Sequence, residues 1–134
     1  MTAGISRTAL VVDDEPMVRT VISRLLRRWD FTVLEAGSGK SALDVARGHG
    51  GGLSLMVTDL MMPEMNGYEL ATAFRPLYPD VPILFVTGKC PNALMGDLSG
   101  MQDRVLFKPF APDALLDAVA RLLESHSSPR EFSA

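Results

Sequence analysis

The sequence holds one cysteine, Cys90, so no internal disulfide can staple the fold. A single thiol fits a reducing compartment and sets the expectation of a cytoplasmic domain. Long apolar runs are missing as well. None approaches the length that crosses a bilayer, and Met1 to Ser6 has no apolar secretion core, so no membrane association is expected. Positive charge is not in excess. Thirteen Lys and Arg stand against 16 Asp and Glu, a net charge of −3, which leaves no basic footprint for direct nucleic-acid binding. Histidines number two, His49 in a glycine loop and His126 in a polar tail, and both read as solvated rather than as ligands. What remains is an ordinary globular mixture, 47% hydrophobic and 22% charged over 134 residues, enough for one domain with a real core.

The stretch that organises the chain is Leu53 to Pro63. An apolar run, Leu55-Met56-Val57, ends abruptly at Thr58-Asp59 and is bounded by Gly50-Gly51-Gly52 and by Pro63. That pattern predicts a short, fully buried strand with Asp59 at its carboxyl end. Sites in open α/β sheets form at that edge, where a carboxylate serves as nucleophile or metal ligand.

Around it the chain alternates. Ala9 to Val12 reads as a first strand, ending in Asp13-Asp14-Glu15. Pro16 suits the first turn of a helix that runs to about Trp29, with Val18, Val21, Ile22, Leu25, Leu26 and Trp29 on one face and Arg19, Arg24, Arg27 and Arg28 mostly off it. Phe31 to Ala36 is a second strand and Ser38 to Arg47 a helix. Asn66-Gly67 opens a helix that Pro76 and Pro79 close. Val81 to Thr87 is a buried strand, Asn92 to Ser99 a weaker helix broken by Gly96, Val105 to Phe107 a short fifth strand, and Pro112 starts a last helix. The domain is expected over 8–124, between an extension at 1–7 and a flexible polar tail at 125–134.

Five such β/α units and right-handed crossovers predict an α/β fold, a doubly wound five-stranded parallel sheet with helices on both faces. All carboxyl strand ends then share one edge, which collects Asp13, Asp14, Asp59, Thr87 and Lys108. Three carboxylates in one pocket repel each other, and a divalent cation relieves that. An all-oxygen set without Cys or His points to Mg²⁺ rather than zinc. With one lysine and one hydroxyl beside it, such a site fits a phosphoryl group.

These motifs, Val11-Val12-Asp13-Asp14-Glu15, Asp59 with Met62-Pro63-Glu64-Met65-Asn66-Gly67, Val86-Thr87-Gly88 and Lys108-Pro109-Phe110, resemble those of CheY-like response regulator receiver domains over Thr8 to Glu124. The resemblance implies a flavodoxin-like strand order of 2-1-3-4-5 and a phosphorelay function, with switching on phosphorylation. In it Asp59 accepts a phosphoryl group from a phosphohistidine of a histidine kinase or a histidine phosphotransfer protein. Asp14, Asp59 and the backbone carbonyl of Met61 hold Mg²⁺ with help from Asp13, and Thr87 and Lys108 hold the phosphoryl oxygens. It further implies a cis Lys108-Pro109 bond, no catalysis beyond the protein's own phosphorylation and dephosphorylation, and a homodimer formed on phosphorylation. The sequence names no downstream effector, and a receiver module within a hybrid sensor histidine kinase is the alternative setting.

Several residues depart from the family pattern or imitate others. The family's switch aromatic, three before the lysine, is Val105 here; Phe107 lies on the same face one residue before Lys108. The punctuation of Lys89 to Asp103 leads to the expectation of a mobile fourth helix. Met61 offers attacking water no polar group, while Lys89 could reach the site, so slow to moderate self-dephosphorylation is expected. Met17, off the apolar stripe, with Pro109-Phe110 forms a candidate apolar contact for the phosphodonor. Gly37-Ser38-Gly39-Lys40-Ser41 imitates the end of a nucleotide-binding P-loop, but Leu34 stands where that loop needs a glycine. A haloacid-dehalogenase-type phosphatase would want an Asp at Met61. Tyr68, Phe74 and Phe85 read as core.

Overall fold

The computed structural model describes residues 7–88 and 104–133. The elements run β1 (Arg7–Val12), α1 (Pro16–Arg28), β2 (Phe31–Ala36), α2 (Gly39–His49), β3 (Leu55–Asp59), α3 (Gly67–Phe74), β4 (Ile83–Thr87), β5 (Val105–Phe107) and α4 (Pro112–Ser133). The strands form one parallel sheet in the order β2-β1-β3-β4-β5. This is the doubly wound α/β architecture that the alternation predicts. The expected helix over Asn92 to Ser99, and its mobility, lie outside the described residues.

Alternate residues of the central strands feed two cores. Leu10, Val12, Met56, Ile83 and Phe85 pack under α2 and α3 against Ala42, Leu70 and Phe74. Ala9, Val11, Leu55, Val57, Leu84 and Val86 pack under α1 and α4 against Ile22, Leu26, Leu115 and Val119. This two-sided burial explains why β3 and β4 read as continuous apolar runs. Each fully buried Leu, Ile or Phe contributes about 1.5–3 kcal/mol.

Local chemistry starts and stops the helices. Ser38 Oγ accepts the Ser41 N–H at the head of α2, and Gly50, at φ 76°, ends it in the left-handed region. Asn66 and Glu69 form a reciprocal capping box at the head of α3. β4 begins at Ile83 rather than Val81, after Pro82, which has no N–H for a ladder bond.

Three expectations change. Val21 and Trp29, assigned to the apolar stripe of α1, are exposed, because the sheet covers a narrower arc around Ile22 and Leu26. Tyr68 is only partly buried, unlike Phe74 and Phe85. The last helix continues to Ser133, past the boundary at Glu124 where the sequence suggested a tail. No glycine falls between Pro112 and Ser133 to supply a left-handed cap, and a polar composition alone does not stop backbone hydrogen bonding.

Candidate functional site

The carboxyl edge of β1, β3, β4 and β5 gathers the acids and the lysine. Asp13 follows β1 directly, Asp59 ends β3, Thr87 ends β4, and Lys108 follows β5. Lys108 is drawn to its place by its own backbone, whose N–H donates to the Thr87 carbonyl at 2.8 Å. Its peptide bond to Pro109 is cis. Lys108 Nζ then lies 3.2 Å from Asp13 Oδ2 and 3.3 Å from Asp59 Oδ2, with Glu15 Oε1 at 3.8 Å.

One carboxylate oxygen each from Asp13, Asp14 and Asp59 lies within 4.8 Å of the others. Asp13 and Asp59 are 0% and 5% exposed, whereas Asp14 is at the solvent rim. A cleft of about 330 Å³ opens over them, lined by Asp14, Asp59, Met61, Thr87 and Lys108 among others. The geometry thus brings together Asp13, Asp14, Asp59, Thr87 and Lys108. Phe107 does not join it: in register with Thr87 on the neighbouring strand, it is 56% exposed.

The backbone around the acids is tightly held. Met61 N–H donates to Asp59 Oδ1 at 3.1 Å, which folds the chain after β3 back over the carboxylate. Glu15 N–H donates to Asp13 Oδ1 at 2.9 Å, and Asp13 N–H to the Ala36 carbonyl at 3.2 Å. Gly67 packs on the Asp59 backbone so closely that a Cβ there would collide with the Asp59 carbonyl oxygen. A glycine at this place is therefore a requirement of the site and not only of the turn.

Burial pushes the Asp13 carboxyl above its ordinary range, against the Glu15 N–H and the Lys108 charge, which favour ionisation. For Lys108, burial works downward, but the carboxylates of Asp13 and Asp59 outweigh it and raise the ammonium above its usual value. Burial thus dominates at Asp13, whereas at Lys108 the two facing carboxylates prevail over it.

Sequence reasoning missed Arg19. Its Nη1 donates to the Asp13 carbonyl at 2.7 Å, while its Nε bonds Glu35 Oε1 at 3.2 Å; Arg27 holds the other Glu35 oxygen at 3.4 Å. Arg19 thereby ties the acid-bearing turn to edge strand β2. Only the parallel pairing of β1 with β2 brings Glu35 near, so no local signal marks it. Lys89, proposed to reach the site, lies outside the described residues.

Comparison with known proteins places this geometry in a family. The family model described as the response regulator receiver domain matches residues 9–120. The sensor kinase CckA of Brucella abortus is 37% identical over 120 residues, covering 89% of this chain and 13% of that protein. The transcriptional regulatory protein SrrA of Staphylococcus aureus is 34% identical over 125 residues, 92% of this chain and 50% of that protein. The chain thus spans half or less of the length of these relatives. Among solved structures, the chemotaxis protein CheY4 of Vibrio cholerae superposes with a TM-score of 0.77 at 28% identity, covering 88% of this chain and 99% of that one. The receiver domain of the hybrid histidine kinase CckA superposes with a TM-score of 0.69 at 31% identity, covering 87% and 98%. With its five-stranded sheet, acidic edge and family match in agreement, the chain belongs to the response regulator receiver domains of two-component signalling.

Proposed function

We propose that Asp59 is the phosphoacceptor of this receiver. The supporting observation is the single ammonium of Lys108 held between Asp13 and Asp59 at 3.2 and 3.3 Å, beneath a cleft that also admits Thr87. An Asp59 carboxylate oxygen attacks the phosphorus of a phosphohistidine in line. The new O–P bond forms as the P–N bond breaks, and the departing imidazole nitrogen keeps the electron pair and takes a proton from solvent. Asp59 is a ready nucleophile once ionised, so catalysis rests on positioning and charge rather than on an added base. Lys108 and the Thr87 hydroxyl hold phosphoryl oxygens, and the Met61 N–H keeps the carboxylate oriented. The chain catalyses only this transfer and the later hydrolysis of its own acyl phosphate.

The clustered acids fit a divalent metal. Their donors are all oxygens within 4.8 Å, and among the described residues Lys108 is the one lysine that faces them. Asp14, Asp59 and the Met61 carbonyl, with Asp13 directly or through water, would hold Mg²⁺. When bound, it supplies charge neutralisation at the phosphoryl oxygens.

The phosphodonor is a histidine kinase or a histidine phosphotransfer protein. It docks beside the site on an apolar cleft of about 490 Å³ lined by Met17, Val18, Val21, Lys108, Pro109 and Phe110. Met17 is 82% exposed there, and nothing in the fold requires an apolar side chain at that position. Met17→Asp should slow transfer from the histidine protein and leave labelling by a small donor unchanged. Phosphorylation switches the domain and favours a homodimer, in the cytoplasm. The receiver domain spans 8–124, with a flanking segment at 1–7 before it and the continuation of α4 to Ser133 after it. The match to CckA keeps a second setting open, a receiver module within a hybrid sensor kinase.

Incubation with acetyl phosphate tests the proposal. Labelling should require Mg²⁺ and vanish in Asp59→Asn. Turnover of ATP would indicate a nucleotidase instead, steady release of phosphate from esters a phosphatase, and no labelling at all a module without the chemistry.

A further inference from the structure

The three acids of the edge are not held alike. Asp13 Oδ1 accepts the Glu15 N–H, and its Oδ2 meets Lys108 Nζ at 3.2 Å. Asp59 Oδ1 accepts the Met61 N–H, and its Oδ2 meets the same ammonium at 3.3 Å. Asp14, at the solvent rim, has neither anchor: among the described residues no hydrogen bond or ion pair reaches its side chain. The direction of its carboxylate is therefore set by its backbone. That backbone starts with the Asp13–Asp14 peptide, a rigid plane that carries the Asp13 carbonyl and the Asp14 N–H together. Whatever holds the Asp13 carbonyl oxygen also sets the direction in which Asp14 leaves β1.

Arg19 holds that oxygen, with Nη1 at 2.7 Å, a short charge-assisted bond. A guanidinium on a flexible stem does not stay in one place unaided. Glu35 fixes it: Oε1 accepts the Arg19 Nε–H at 3.2 Å, while Oε2 accepts from Arg27 Nη2 at 3.4 Å. Pairing of Glu35 with Val11 sets this carboxylate beside β1, two residues before Asp13, and the Asp13 N–H itself donates to the Ala36 carbonyl. Gly37 leaves room for the guanidinium, since a Cβ there would stand 3.3 Å from Arg19 Nη1. The Arg19 and Glu35 side chains are 22% and 33% exposed, and ion pairs so placed add little to stability. What this one supplies is direction.

We propose that Glu35 is a positioning residue of the phosphorylation site. It holds the Arg19 guanidinium on the Asp13 carbonyl and, through the peptide that follows, directs Asp14 toward the metal. The inference rests on the assignment of Asp14 to Mg²⁺ made above. Side chains that orient metal ligands from behind typically carry about 10–100-fold of metal affinity.

Mg²⁺ titrated into the full chain and followed by calorimetry is the test. Glu35→Ala should weaken Mg²⁺ binding about tenfold, while the urea midpoint in EDTA stays close to that of the wild type. Glu35→Gln, which keeps an acceptor for the Arg19 Nε–H, should recover most of the affinity. Adding Glu35→Ala to Arg19→Gln should cause no further loss, because Glu35 acts through Arg19. In EDTA the amide N–H resonance of Asp14 should shift in Glu35→Ala and return toward its wild-type position in Glu35→Gln, a readout independent of the metal. Equal affinity in Glu35→Ala and the wild type, losses that add in the double variant, or a urea midpoint that falls along with the affinity overturn the proposal and leave the metal site standing. A wild type that binds no Mg²⁺, or binds it as tightly with Asp14→Asn, overturns the assignment of the site and this inference with it.

Discussion

Removal of the Lys108 ammonium is the sharpest perturbation of the acidic edge, and Lys108→Met achieves it while keeping the aliphatic stem. In the native fold Nζ sits 3.2 and 3.3 Å from oxygens of Asp13 and Asp59, both buried. At an effective dielectric of about 20, each contact is worth about 5 kcal/mol, and carboxylate oxygens within 4.8 Å of each other repel by about 3 kcal/mol or more. Desolvation of the ammonium offsets part of the attraction, so the expected net loss is that of a broken buried pair, about 3–5 kcal/mol. Urea unfolding in EDTA, followed by the fluorescence of the single tryptophan, Trp29, reads this directly. Mg²⁺ should then restore more stability to the variant than it adds to the wild type, because the competing cation is gone. Saturation at about 100 times the dissociation constant contributes about 2.7 kcal/mol. A loss below about 1 kcal/mol in EDTA, or equal gains from Mg²⁺ in both proteins, would refute the charge-balance reasoning.

The backbone of the site makes its own predictions. Gly67→Ala forces a Cβ against the Asp59 carbonyl, and should cost about 1–3 kcal/mol in urea while lowering phosphoryl labelling. Arg19→Gln frees the Asp13 carbonyl and should weaken Mg²⁺ binding, measured by calorimetry, more than it lowers unfolding stability. Met61→Asn places a polar group beside the acyl phosphate and should shorten its lifetime; a wild-type lifetime of seconds, unchanged by the substitution, would contradict a slow site. The raised Asp13 carboxyl gives a pH dependence in EDTA. The folded protein binds that proton more readily than the unfolded chain, so stability falls as pH rises from 3.8 through the folded value. Asp13→Asn should flatten this slope, and an unchanged slope would assign it to other groups.

Much of this was legible in the sequence because the periodic signals were long and mutually consistent. The apolar run ending at Asp59 defines a strand, and the alternation around it fixes which ends share an edge. The acids and Lys108 follow from that edge alone. Contacts that depend on register were not legible. Arg19 meets Glu35 across 16 residues through the pairing of β1 and β2. The stripe on α1 was read too wide, since helical spacing gives a direction and not the arc that the sheet covers: Val21 and Trp29 fall outside it. The end of α4 was misjudged for the opposite reason, a polar composition taken for a stop although no glycine is present to cap the helix.

The central claim is that the carboxylate of Asp59 carries the phosphoryl group. Borohydride reduction of the acetyl phosphate-treated, Mg²⁺-loaded protein, followed by peptide mass spectrometry, locates the acyl phosphate by the alcohol it leaves. Reduction at residue 59 alone is the expected result, and reduction at Asp13 or Asp14 with residue 59 intact would contradict the account.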